Sequence, residues 1–178
     1  MKKTLSLMIT AIFIMTAATA QNGTLKIGDK APGWVLENAS KVEHTMDTWK
    51  GKVLQINYVD PDLSDLNDPF NDAIDKATDI DKRIDQNFFK GFGIVDTKST
   101  WKPNGVIRMI AKNKEKKYGT TILFDYEGLL REKWGMPADN YTVVIVDKNR
   151  VVRYLHTGEI PESEHEKIIS MIIELTRE

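Results

Sequence analysis

Apolar residues recur along this chain with two different periods, and the switches between them outline a fold. Short apolar runs bounded by turn formers predict strands at residues 54–59, 92–95, 121–124, 142–146 and 151–155. A smaller hairpin is predicted earlier, from 34–36 and 42–45 around the polar turn 37–41. Helical spacing takes over between these runs. Phe70, Ala73, Ile74, Ala77, Ile84 and Phe88 form one apolar face, opened by Asp68 as N-cap with Pro69 behind it and ended by Gly91 and Gly93. Residues 106–117 predict a second helix with Val106, Ile107, Ile110 and Ala111 inward. Residues 129–134 read as a short strand or a helical turn, and 135–140 as a loop. The last helix spans 161–178, with Ile168, Ile169, Ile172, Ile173 and Leu175 apolar. Strands alternating with helices, then a terminal hairpin and helix, predict an α/β domain with a mixed sheet.

The first twenty residues break this pattern. Lys2 and Lys3 precede an apolar stretch from Leu5 to Met15, and Ala18-Thr19-Ala20 follows as a small-residue cleavage site. The expectation is a signal peptide at 1–20 and a single domain at 21–178, exported to the periplasm. Eleven mostly apolar residues fall short of the about twenty a membrane span needs, so no transmembrane span is expected after cleavage. The whole chain carries 25 Lys and Arg against 26 Asp and Glu. Removing the leader makes it more acidic, which argues against a nucleic-acid partner.

Residues 50–66, KGKVLQINYVDPDLSDL, resemble the first core strand and active-site turn of a thioredoxin-type fold. Ile27-Gly28-Asp29-Lys30-Ala31-Pro32, followed by Trp49-Lys50-Gly51-Lys52-Val53, is similar to the opening of thioredoxin-like peroxiredoxin and thiol-reductase domains. Ile94-Val95-Asp96-Thr97, then Ile122-Leu123-Phe124-Asp125 with Gly128, then residues 141–147, resemble the YtfJ family of exported bacterial proteins. The resemblance implies a thioredoxin-like sandwich, with a central mixed sheet flanked by helices and an additional helix near 106–117. The YtfJ family is itself of unknown function. In catalytic relatives two cysteines would stand near Leu63 and Leu66, and a cis-proline near Tyr141. This chain has no cysteine at all. Thiol redox chemistry needs a thiolate, so neither a thiol–disulfide oxidoreductase nor a peroxiredoxin is compatible with it.

The resemblance makes the old active-site rim the candidate binding surface: Asp60, Asp62, Leu63, Asp65, Leu66, Asn140 and Tyr141. Leu63 and Leu66 would form an exposed apolar patch ringed by carboxylates. The expected function is a non-catalytic binding or accessory module, with another envelope protein as partner. The alternative is a thiol-independent enzyme with an acidic, metal-assisted site. Asp60, Asp62 and Asp65 are weak metal candidates, because the glycine and distal glutamate of a calcium loop are missing. They begin a run of nine aspartates between Asp60 and Asp85, which reads more simply as a helix start and a solvated helix face. His44, His156 and His165 lack metal-ligand spacing, although His44 and His156 could meet in space. No serine elbow, P-loop or dinucleotide motif is present, and no cofactor is expected. The basic run 112–117 reads as a solvated helix end that could also touch anionic lipid headgroups. Among the four tryptophans, Trp101 is the best exposed-ring candidate, because it lies in a predicted loop.

Overall fold

The computed structural model describes residues 23–178; the leader expected at 1–20 lies outside them. Seven strands form one sheet: β1 (Val35–Asn38), β2 (Glu43–Thr45), β3 (Val53–Val59), β4 (Phe89–Asp96), β5 (Ile122–Asp125), β6 (Tyr141–Val146) and β7 (Val152–Thr157). Their order is β2-β1-β5-β4-β3-β6-β7. β3, β4 and β5 run parallel, and the other pairings are antiparallel. The helices are α1 (Asp68–Asp75), α2 (Asn104–Tyr118), α3 (Leu129–Trp134) and α4 (Glu162–Arg177). This is the expected thioredoxin-like α/β sandwich with a mixed central sheet.

Successive side chains on a strand point to opposite faces, so each strand contributes to two layers. On one face Leu54, Ile56, Tyr58, Phe92, Ile94 and Leu123 join Trp34, Leu130 and Trp134 in a continuous core. The other face is divided. Val53, Val59, Val143 and Ile145 pack under α1 and α4, with Phe70, Ile74, Ile168 and Ile172. Ile122 and Phe124 pack separately under Ile107 and Ala111 of α2. Between the two clusters the strands carry Gln55 and Asn57 on β3, and Gly91 and Gly93 on β4. No apolar side chain bridges that strip, so α1 and α2 each follow their own cluster.

Several local expectations change for identifiable reasons. The helix opened near Asp68 ends far earlier than Gly91. After α1 the chain makes one π-helical turn, Lys76–Ile80, where the Thr78 hydroxyl donates to the Ile74 carbonyl at 2.7 Å. Strand pairing claims the rest: Val53 N bonds Phe88 O at 2.8 Å, and the parallel register runs from Val53–Phe89 to Val59–Val95. Gly91 and Gly93 therefore lie inside β4, Phe88 is exposed, and Ile84 is buried from a loop. Asp68 is the first helical residue, with Asn67 at the cap position. The Asn67 side chain is occupied elsewhere: its amide donates to Gly158 O and accepts from Ile160 N, tying α1 to the approach of α4. Val106 and Ile110, expected inward, are exposed, because α2 packs on the sheet through Ile107 and Ala111 instead. Residues 129–134 are helical, ended by Gly135 at φ 64°, where a Cβ would come within 2.8 Å of the Thr24 backbone.

Each parallel strand ends at an aspartate that caps its own turn. Asp60 accepts from Asp62 N at 2.8 Å, and Asp96 from Lys98 N at 3.1 Å. Asp125 accepts from Leu129 N at 2.7 Å and Leu130 N at 2.9 Å, supplying the cap that Gly128 cannot give α3. Asp125→Ala is expected to lower unfolding free energy in urea by about 2–4 kcal/mol, since two helix-start donors lose their acceptor. A loss below about 0.5 kcal/mol would mean that packing alone holds α3.

Candidate functional site

The divided helix layer leaves a cleft of about 610 Å³ between α1 and α2. Its floor is the strip of Gln55, Asn57, Gly91 and Gly93. Neither glycine has a positive φ, and at both a Cβ would find its nearest neighbour at 3.9 Å, an ordinary contact. The backbone does not require glycine at either position. Glycine weakens a strand interior, and a recurrent reason for it is close approach of a ligand. The volume also lies within the range of small-ligand sites.

The polar floor is a connected network. Gln55, 2% exposed, donates to Asn71 Oδ1 at 3.1 Å and to Asn57 Oδ1 at 3.3 Å. Asn57 donates to Asn71 Oδ1 at 3.4 Å, and Asn71 donates to the Tyr141 hydroxyl at 3.1 Å. Gln55 Oε1 is buried without a partner, a costly state for an amide carbonyl. Burial pushes the Tyr141 hydroxyl up to about 12. The α1 wall carries Asp68, Asp72 and Asp75, spaced to share one helix face, and the π-helical turn after it adds Asp79. Asp75 touches solvent yet is hemmed in by protein; burial first, then Asp79 and Asp72, hold its carboxyl above the ordinary range. The α2 wall opposite presents Ile107, Ile110 and Lys114.

Of the seven rim residues Tyr141 alone lines this cleft, together with Pro61 and Ser64 from the turn that carries Asp60 to Leu66. Tyr141 pairs with Val59 and reaches the floor network, so it links rim to cleft. Asp60 N donates to Asn140 O, and Tyr141 N to Asn140 Oδ1, both at 2.9 Å. Asp62 is ion-paired with Lys102 and accepts from Thr100, and Asp65 pairs with Lys114 at 3.0 Å. The hydrogen bonds from these lysines hold both carboxyls below the usual range. The two pairs tie the old redox turn to the Lys102 loop and to α2. Leu63 and Leu66 are half-buried, and Leu66 packs against the α1–α4 cluster. Leu66 thus contributes to the core as well as to the rim, and Leu63 ends the proline-led turn with part of its side chain exposed.

The carboxylates of Asp60, Asp62 and Asp65 do not converge, and among the described residues no group of three or more His, Cys, Asp or Glu is placed to hold a metal. His44 and His156 lie on opposite edge strands, β2 and β7, and do not meet. His44 stacks on Trp49, and His156 bonds the Glu159 carbonyl.

Behind the rim lies a buried network that the sequence reading passed over. Tyr58 donates to Asp125 Oδ2 at 3.4 Å, and Arg131 Nε donates to Asp96 Oδ2 at 2.6 Å. Burial, and then the charges of Asp96 and Asp125, push the Tyr58 hydroxyl far up. The available signal was an apolar run ending in aspartate three times, at Asp60, Asp96 and Asp125. Asp60 itself is 5% exposed, and its carboxyl is held above the ordinary range mainly by burial, with Asp62, Asp139 and Asp96 adding to it.

Two measurements follow from this geometry. Gly93→Ala is expected to stabilise the protein by about 0.5–1 kcal/mol in urea unfolding, since the site has room for the methyl group. Destabilisation would show that the strand needs glycine for itself. A raised folded-state pKa at Asp60 penalises folding once the pH climbs above the unfolded carboxylate value, about 4. Asp60→Asn is thus expected to be more stable than wild type near neutrality, with the difference gone below about pH 3. An equal difference at both pH values would contradict this assignment.

A model of a bacterial protein family of unknown function, YtfJ_HI0045, matches residues 21–175. No curated protein matches the chain. Solved structures give the fold. A protein from Chlorobium tepidum assigned as a thiol:disulfide interchange protein DsbE has a TM-score of 0.63 at 17% identity, over 86% of this chain and 99% of its own. One from Bacteroides thetaiotaomicron assigned as a protein disulfide isomerase has a TM-score of 0.64 at 17% identity, over 86% and 92%. The exposed lipoprotein thioredoxin Etrx1 of Streptococcus pneumoniae has a TM-score of 0.60 at 16% identity, over 81% and 100%. With the family model spanning nearly the whole described fold, this protein, itself thioredoxin-like in architecture and without cysteine, belongs to the YtfJ family of bacterial proteins of unknown function.

Proposed function

We propose that this protein is a redox-inactive binding module of the bacterial periplasm whose ligand occupies the cleft between α1 and α2. The observation that carries the reading is the glycine floor: two strand-interior glycines lining the cleft with ordinary φ, at which a Cβ would make only ordinary contacts. The ligand would lay an apolar body against Ile107 and Ile110 and offer hydrogen-bonding groups to the amides of Gln55, Asn57 and Asn71. The acidic wall of α1 favours a ligand with a cationic or N–H-rich edge. A small molecule or a partner's extended segment both satisfy this chemistry. Tyr141 joins the rim of Asp60, Asp62, Leu63, Asp65, Leu66 and Asn140 to the same site.

Export rests on the basic, apolar and small-residue order of the first twenty residues. No described helix is long and apolar enough to cross a membrane. A cysteine-free chain is also indifferent to an oxidising compartment.

The test is photo-crosslinking in the native cell. A probe at Ile110 or Leu63 is expected to give a discrete adduct, and one at exposed Asn149, on the distant β6–β7 turn, none. Gly93→Leu, which fills the floor, is expected to remove the adduct while leaving the protein folded and at wild-type abundance. Folded protein without adducts at Ile110 and Leu63, or adducts indifferent to Gly93→Leu, would contradict the reading.

A further inference from the structure

α2 is oddly clothed for a surface helix. Ile107 and Ala111 form its buried seam. At 100° per residue, Met109, Val106 and Ile110 fall in one sector about 100° wide on its uncovered side. They are 61%, 41% and 45% exposed. Trp101, in the loop leading into the helix, is 87% exposed. With Tyr118 at the far end, residues 101–118 hold five of the ten large apolar side chains that stand exposed among the described residues.

The charge on the same segment is equally one-sided. From Thr97 to Thr121 seven Lys and Arg stand against one Glu, in a chain of net charge −1. The one acid, Glu115, is turned onto the Ile122 backbone N–H at 2.9 Å. Lys102 and Lys114 are paired with Asp62 and Asp65, and Arg108 donates to the Tyr126 hydroxyl. Lys98, Lys112 and Lys116 are exposed, with Lys112 and Lys116 bordering the apolar sector.

We propose that α2, with Trp101 before it, docks on the surface of a bilayer rich in anionic phospholipid. The complementarity is that of an interfacial helix: protruding apolar groups that enter the headgroup layer, lysines beside them that meet the phosphates, and an aromatic ring, Trp101, at the leading end. A fluid surface suits this face better than an acidic protein does, because its apolar groups project singly from a convex helix and a loop tip. The helix lies flat with Val106 and Met109, which do not line the cleft, toward the headgroups, and Ile110 stands at the border between this face and the cleft.

The test is flotation of the purified protein with vesicles of phosphatidylglycerol and phosphatidylethanolamine against vesicles of phosphatidylcholine. Partitioning is expected to be at least about 10-fold stronger on the anionic vesicles and to weaken with added salt. Acyl chains brominated near the headgroup are expected to quench the fluorescence of wild type and much less that of Trp101→Phe. Lys112→Glu with Lys116→Glu, and separately Trp101→Ser with Met109→Ser, are expected to lower partitioning by about 5-fold or more with unchanged thermal melts. Gly93→Leu is expected to partition like wild type, which separates this surface from the cleft. Equal binding to both vesicle types, or variants that bind like wild type, would overturn the proposal. So would absence of vesicle binding with capture of an acidic protein by this face.

Discussion

The structure turns on two alternate positions of its central strand. Val53, Gln55, Asn57 and Val59 share one face of β3, and the middle pair is polar. Had both been apolar, the helix layer would have closed over them, because burying even one such side chain is worth about 1.5–3 kcal/mol. Instead, the apolar cluster on that face stops on either side of the strip. α1 leans on α4 through Phe70 and Ile74, and α2 leans on β5 through Ile107 and Ala111. The cleft is the space between two helices that follow different cores.

The rest of the site is built around that gap. Asn71 on α1 accepts from both floor amides and passes the network to Tyr141, so the buried polar strip is largely satisfied and tied to the rim. A buried network is costly to leave incomplete, and Gln55 Oε1 is the acceptor that this one leaves without a partner. The strand-end aspartates and Arg131 hold the loops above it. Where a catalytic thioredoxin would use this end of the sheet for a thiolate, the present chain uses it for turn capping and for two ion pairs that join the turn to α2 and its approach. Ligand sites in open α/β sheets commonly lie outside the carboxyl ends of the strands, and the upper lip of the cleft keeps that position.

Much of the fold was legible in the sequence, because strands such as 142–146 and the last helix have unambiguous periods. Gly91 and Gly93 were read as a helix end, the usual role of glycine after an apolar helical pattern, and only pairing with β3 moves them into β4. The same error hid the cleft floor. Val106 and Ile110 had the right spacing to be buried, but spacing cannot reveal that α2 packs through Ile107 and Ala111 instead. Asp96 and Asp125 stood in the sequence as part of the family resemblance, and it is the parallel register that brings these strand ends together. The rim residues were located by resemblance, whereas their burial and pairing depend on contacts distant in sequence, such as Asp62 with Lys102 and Asp65 with Lys114. The paired amides at Gln55 and Asn57 were visible as polar residues at period two inside a buried strand. That mismatch was the clearest sequence-level sign of a site.

The most direct test of the account is a high-resolution crystal structure of the protein purified, without denaturation, from its native host. The account predicts continuous density for a bound organic group or peptide segment above Gly91 and Gly93, in contact with the amides of Gln55, Asn57 or Asn71, with α1 and α2 held apart. A cleft closed by α2 packing down on the floor, or one holding only ordered water, would contradict it.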